Sequence, residues 1–498
     1  MTDTIFAHPV TAAVIAAFLL IGIVGKLMKV SFETIARWYL YVCAFSIVIV
    51  MNSIFFPFIG GKDYFFRFAT ELALICVLLW WGFEAKKGDL KKRVVALFKK
   101  PLVIATTVFA VVFELACLFA YDAHAAFWSN YERGEGGFQM LHYYLFFLLL
   151  VFLFTEEKQW KNLFNFSLIS AGLMILYGLA GNYSLNGFIG PYAGGTPPTN
   201  WWHALIDGRF QGTLGNPAYV DPYLIFSMFY VGYLWTAAKI AGKSLKVWGW
   251  VYGVLIAIFL FFFILGQTRG AFLGLGAGVL ALLLYLIFTS GKKVRKWSSL
   301  VLGLLIILGI GLYAVRNTAY VQNLPEGRLL NISLSDSTVQ TRFWVWGEAW
   351  QGFLERPVLG WGPENFTTVF DKFFNPNFYV PGQNSETWFD RAHSIYFDYL
   401  AETGIIGLLS YLAIFAVFYW DIGKKIFKHR KASREPQAEV HHRAAINMQH
   451  GLLLALPIAY LIQGVAIFDV FPMYICLFTL FAFGAYYANA AITTNHGR

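Results

Sequence analysis

The stretch VYGVLIAIFLFFFILGQTRGAFLGLGAGVLALLLYLIFTSGKKVRK (251–296) decides the fold. Two apolar runs, each close to the ~20 residues that cross a hydrocarbon core, flank the tight turn GQTRG (266–270). Between Lys246 and Lys292 the only charged residue is Arg269. So little charge over that length leaves nothing to face water, and a helix satisfies its own backbone groups in lipid. The second run ends on GKKVRK (291–296), a basic cluster set against a span end, as topology determinants are. The unit is a membrane hairpin.

Outward from this hairpin the pattern repeats. Thirteen apolar spans are expected at roughly 9–25, 38–59, 64–83, 101–121, 138–155, 162–182, 216–238, 247–265, 271–289, 298–315, 394–420, 449–467 and 471–491. The close pairs 38–59/64–83 and 449–467/471–491 are hairpins or partly re-entrant segments. Of the 498 residues 58% are hydrophobic and 13% charged, with mean hydropathy +0.58, whereas a soluble domain is about a quarter charged. The fold class is therefore an all-α polytopic membrane protein of about 12–13 transmembrane helices. One long extracytoplasmic loop carries amphipathic helices. The opening MTDTIFAHP lacks a basic leader region, so the first apolar run is expected to be retained. All four cysteines fall in apolar runs, which argues against a disulfide framework or a cysteine metal site.

Orientation follows from Lys and Arg. Segments 26–37, 84–100, 155–161, 239–246, 290–297, 421–448 and the C-terminus hold 27 of the 38, which makes that side cytoplasmic. The net charge of +10 is thus topological, and no nucleic-acid partner is implied. The chain divides into N-terminal spans (1–182), spans with an outer loop at 183–215 (183–315), a long extracytoplasmic loop (316–393) and C-terminal spans (394–498). Another outer segment, 122–137, reads DAHAAFWSNYERGEGG. Loops as long as 316–393 are uncommon unless functional.

Within that loop, TVQTRFWVWGEAWQGFLE (338–355) places Arg342, Trp346, Trp350 and Phe353 on one helical face, suited to the outer membrane interface. Ser335, Asp336 and Ser337 offer N-caps, and Pro357 ends the helix. Gly360 and Gly362 mark a place where the backbone bends or approaches something closely.

Four residues are candidates for chemistry. Arg269 sits in a turn at the lipid surface, where a snorkelling role competes with holding a diphosphate headgroup. Arg342 lies either near the membrane plane or in a solvated pair with Glu348 or Glu355. His393 is expected at about the third position of a helix capped by Asp390, where the helix N-terminus and nearby Arg391 keep its ring neutral. The bland alternative is a hydrogen-bonded interfacial histidine. Arg209 is weaker, ahead of the turn signal GNP and of Asp221. Within the spans, Arg67 and Glu71 fit an i, i+4 pair, and Glu114 has no evident partner. There is no Walker A loop, HExxH, GxSxG or paired-acid metal motif.

These motifs together resemble the O-antigen ligase and O-antigen polymerase superfamily of bacterial glycan-transfer membrane proteins. The resemblance rests on TRG (268–270), TRFWVWGEAWQGFLERPVLGWGPENF (341–366), AHSIYFDYLAETGIIGLL (392–409) and GTLGNPAYVDPYL (212–224). Ser394 stands where the family usually has Asn. What the resemblance implies is a glycosyltransferase of the inner (cytoplasmic) membrane, metal-independent, inverting and without a cofactor. It would move a glycan from undecaprenyl diphosphate to an acceptor hydroxyl outside the cytoplasm. Arg269 and Arg342 would hold the diphosphate, and His393 would orient or deprotonate the acceptor. Arg209, Arg391, Trp346 and Trp350 are weaker substrate contacts. A lipopolysaccharide ligase, a polysaccharide polymerase and a protein O-oligosaccharyltransferase stay open as readings. A transporter for a lipid-linked glycan or anion is the alternative from another class, and a membrane scaffold is a third. A fluorescent protein fused after Arg498 is expected to fluoresce in the cytoplasm. Alkaline phosphatase fused near residue 375 is expected to be active, and the reverse pattern would invert the topology.

Overall fold

A computed structural model describes residues 9–51, 54, 56–130, 133–182, 209–242, 245–318, 321, 337–379, 387–432 and 440–490. Most of the expected outer loop 183–215, residues 322–336 and 380–386 of the long loop, the caps Ser335 and Asp336, and both chain ends lie outside the described residues. Among the described residues the fold is all-helical, with no strand.

The helices are α1 (Pro9–Leu27), α2 (Phe32–Cys43), α3 (Gly60–Phe83), α4 (Asp89–Leu97), α5 (Pro101–Leu118), α6 (Ala123–Trp128), α7 (Gly137–Leu153), α8 (Glu157–Asn182) and α9 (Pro217–Ile240). There follow α10 (Leu245–Gly266), α11 (Arg269–Thr289), α12 (Lys292–Val315), α13 (Ser337–Glu355), α14 (Phe366–Lys372), α15 (Ile395–Ala432), α16 (Val440–Gln463) and α17 (Phe471–Asn489). Among the described residues nine helices are long and apolar enough to cross a membrane: α3, α5, α8, α10, α11, α12, α15, α16 and α17. Two shorter apolar helices, in α1 and α7, join them. The 24-residue α9 runs among them with Asp221 and all four of its tyrosines buried.

One expected span is corrected. The run 38–59 is not a continuous helix: α2 stops at Cys43, a 3-10 turn carries on to Val48, and extended backbone begins at Ile49. The bonds that follow are turn contacts, such as Met51 N–H to Pro57 O at 2.9 Å. Hydropathy alone could not show this, because an apolar run reads the same whether it crosses or bends back. Within α3, Arg67 turns to Gln139 and to the Gly134 carbonyl, and Glu71 bonds His142 at 3.0 Å, so the expected Arg67–Glu71 pair does not form.

Burial grades across the bundle. In α17, 83% of the most apolar window is buried, against 6% in α12, which packs chiefly on α11 and otherwise presents side chains outward. The hairpin α10–α11 is as expected, and α11 lies along α16 with Gly274 and Gly278 against the Ala459 region.

The decisive local feature is a break in α15. Gly404 adopts φ 66°, ψ −170°, and the helix resumes beyond it. The carbonyls of Ala401 and Glu402 accept instead from the N–H groups of Trp361 and Gly362 at 2.9 and 2.8 Å. In return Ile405 N–H donates to Pro357 O at 2.9 Å. A broken helix at the end of a bundle is tolerable only when such partners replace its lost bonds. Contact is too close for side chains: a Cβ on Gly360 or Gly404 would lie 2.4 Å from the opposing backbone. Gly404→Ala is therefore expected to lower stability by ~3 kcal/mol or more, while Gly82→Ala, with nothing nearby, changes it little. Thermal unfolding in detergent reads the difference.

Candidate functional site

Helix direction alternates, so the same bundle end collects Gly60–Arg67, Tyr121–Asn130, Arg133–Gly137, Arg209–Pro217, the 266–270 turn, residues 357–379 and 387–395, and the 463–471 turn. The basic runs lie at the other. Four of the five non-glycine residues with left-handed φ among the described residues fall at this first end: Ser129, Gln267, Glu364 and His393. Strained backbone of this kind concentrates at functional sites.

The centre is a buried ionic cluster. Arg391 Nη1 donates to both oxygens of Glu402, at 3.1 and 2.9 Å, and Nη2 donates to Glu364. Glu402 comes from the first half of the broken helix and Glu364 from the turn that pairs with the break. The N–H of Glu364 also donates to Glu402 Oε1 at 3.0 Å. A second pair lies alongside: Arg133 grips Asp390 through Nε (2.6 Å) and Nη2 (2.9 Å), and its Nη1 donates to the Tyr219 hydroxyl at 3.0 Å. Burial alone would raise the Asp390 carboxyl, but the hydrogen bonds and charge of Arg133 outweigh it and hold that group below its ordinary value.

His393 follows directly. The expected position inside a helix capped by Asp390 is corrected: α15 begins at Ile395, and Asp390 is committed to Arg133. His393 instead sits two residues ahead of the helix at φ 54°. Ala392 N–H donates to Asp398 at 2.6 Å, and Ile395 N–H donates to the carbonyls of Gly464 and Ile467. The imidazole is clasped edge-on between Phe389 and Phe468, 5.3 and 5.1 Å between ring centres. Its Nδ1 lies 3.2 Å from the Arg391 carbonyl, which can only accept, so Nδ1 carries the hydrogen and Nε2 keeps a free lone pair. Desolvation pushes the His393 pKa down to about 4, with Arg342 and Arg133 helping and Asp390 opposing.

The remaining expected residues are placed as follows. Arg342 lies on α13 near enough for its charge to act on His393. Glu355 pairs with Lys372, and Glu348 accepts from Asn375 N–H, so the sequence-level partners of Arg342 are engaged elsewhere. Trp346 stacks on Phe397 of α15 at 5.2 Å, whereas Trp350 is half-exposed. Arg269 opens α11 beside Gly270, which abuts the Gln463–Ala466 turn, the turn that also receives Ile395. Arg209 donates to the Gly266 carbonyl at 2.9 Å and to the Thr268 hydroxyl at 3.1 Å, bracing the turn that presents Arg269. Asp221 takes the Thr268 N–H at 3.0 Å. Sequence reasoning missed Arg133, Glu364 and Glu402 as site residues. The charge-bearing segment 122–137 was the available signal for the first, and the Glu-x-Gly of 402–404 for the last.

The fold and site define a multi-pass membrane protein with a neutral histidine and several arginines gathered at one bundle end. Residues 254–412 match the family model described as O-antigen ligase, which supports membership of the O-antigen ligase superfamily of glycosyltransferase-like membrane enzymes. No curated protein matches the chain.

Arg391→Leu leaves Glu364 and Glu402 buried without their cation and is expected to cost about 3–5 kcal/mol, as breaking a buried pair does. The loss should appear as a lower melting temperature in detergent, and an unchanged one would make the cluster dispensable.

Proposed function

We propose that this protein is an O-antigen ligase-like glycosyltransferase that moves a glycan from undecaprenyl diphosphate to an acceptor hydroxyl outside the cytoplasmic membrane. The observation that carries the reading is His393: an imidazole held neutral, its Nε2 lone pair available, under the influence of Arg342. The family match at 254–412 supports the same class.

The step balances without a cofactor. The acceptor hydroxyl oxygen attacks the anomeric carbon as its proton passes to His393 Nε2. The anomeric C–O bond to the diphosphate breaks, and the configuration at that carbon inverts. Undecaprenyl diphosphate leaves with the electron pair, and Arg269 and Arg342 offset the charge that develops on it. Two guanidiniums take the part that a divalent ion plays in other transferases. The bundle end opposite the basic runs faces outward in this reading, level with the diphosphate of a lipid donor. The lipid bilayer itself and an acceptor lipid, glycan or protein are the other partners.

The test is release of undecaprenyl diphosphate from purified lipid-linked glycan by membranes holding wild type, Arg269→Ala, Arg342→Ala or His393→Ala at matched expression. Wild type is expected to release it with EDTA present, and each variant to lose on the order of 10²-fold or more. Because His393 stays neutral down to about pH 4, wild-type kcat/KM should be level between pH 5 and 7 and fall only as pH drops towards that value. The acceptor that supports release separates ligase from polymerase or protein glycosylation. No release with any acceptor would overturn the reading in favour of a transporter.

A further inference from the structure

We propose that Arg133, contributed by the segment ahead of α7 and lying outside the matched residues 254–412, is a positioning residue that sets the geometry and charge environment of His393. The proposal rests on the reaction proposed above. Three contacts carry it. The guanidinium holds Asp390, three residues before the histidine, through two hydrogen bonds. It lies 5.0 Å over the ring of Phe468, the same ring that flanks the imidazole. Its third arm reaches the hydroxyl of Tyr219 on α9. Arg133 thus fixes both the segment on which His393 is carried and one of the two walls between which the ring stands.

A residue so placed does more than pack. The charges that act on His393 are Arg342 from α13, Arg133 and Asp390; Arg391, whose carbonyl lies against the imidazole, is the centre of the neighbouring ionic cluster with Glu364 and Glu402. Arg391 is matched by Glu364 and Glu402. Asp390 is matched by Arg133, and without it a carboxylate beside the histidine would favour the imidazolium, the form that cannot take a proton from the acceptor.

The experiment compares wild type, Arg133→Gln, Asp390→Asn and the double variant, with Arg133→Lys as a charge-keeping control. Two readouts are taken: the acid limb of kcat/KM, and the pH midpoint for acylation of His393 by diethyl pyrocarbonate, followed on the His393 peptide by mass spectrometry. In Arg133→Gln the midpoint is expected to rise on the order of one pH unit. Its kcat is expected to fall about 10–100-fold with little change in KM. Asp390→Asn shifts the midpoint the opposite way, and the double variant returns it toward wild type. Arg133→Lys keeps the midpoint while losing rate, because one ammonium cannot reproduce the two-pronged grip. Equal midpoints in wild type and Arg133→Gln would overturn the proposal, as would full rate in Arg133→Gln. If wild type transfers no glycan the reaction fails, yet the acylation midpoints still decide the part played by Arg133.

Discussion

Arg391 carries a guanidinium into a place from which water is almost excluded, and Glu364 and Glu402 meet it there. Its residual exposure is 7%, and Glu402 retains 5%. Neither partner could tolerate that burial alone, because an uncompensated charge in a low-dielectric interior is far costlier than one in water. The three groups come from three places along the chain: the segment before α15, the turn after Gly362, and the first half of α15. Closing the cluster obliges those pieces to meet. The backbone exchange at Gly404 and the left-handed turn at His393 lie within a few residues of it, so the site's shape depends on this one ionic contact.

Much of the architecture was legible because lipid imposes a simple rule on composition. Each ~20-residue apolar run is a helix or close to one, and twelve of the thirteen expected runs coincide with a helix, α15 being broken at Gly404. The exception, 38–59, shows where the rule stops: hydropathy measures solvent preference, and a chain can satisfy that preference without crossing. The helix after residue 337 and the close approach at Gly360 and Gly362 were equally readable, from period and from glycine placement.

Long-range pairing was not. Asp390 looked like a cap because Asp is a good cap, but a carboxylate takes the strongest donor it can reach, and Arg133 is 257 residues away. The strained φ of His393 was likewise hidden, since nothing local favours it and only the surrounding bonds hold it in place. Arg209 illustrates the converse. Its expected role as a weaker substrate contact rests on local sequence, and its guanidinium also donates to Gly266 and Thr268 in the turn that leads into Arg269.

The contrast between α12 and α17 bears on how this sequence tolerates drift. The 24 residues of α12 answer mainly to lipid, a solvent that registers hydrophobicity and length and is indifferent to shape. Exchange of leucine, isoleucine and valine there leaves the bundle unaware. In α17 the same exchange meets a wall of aromatic rings packed as tightly as a crystal, and each methyl group counts. The two spans therefore live under opposite constraints, and the more apolar of them, the one that looks more like a membrane helix, carries less information about the fold.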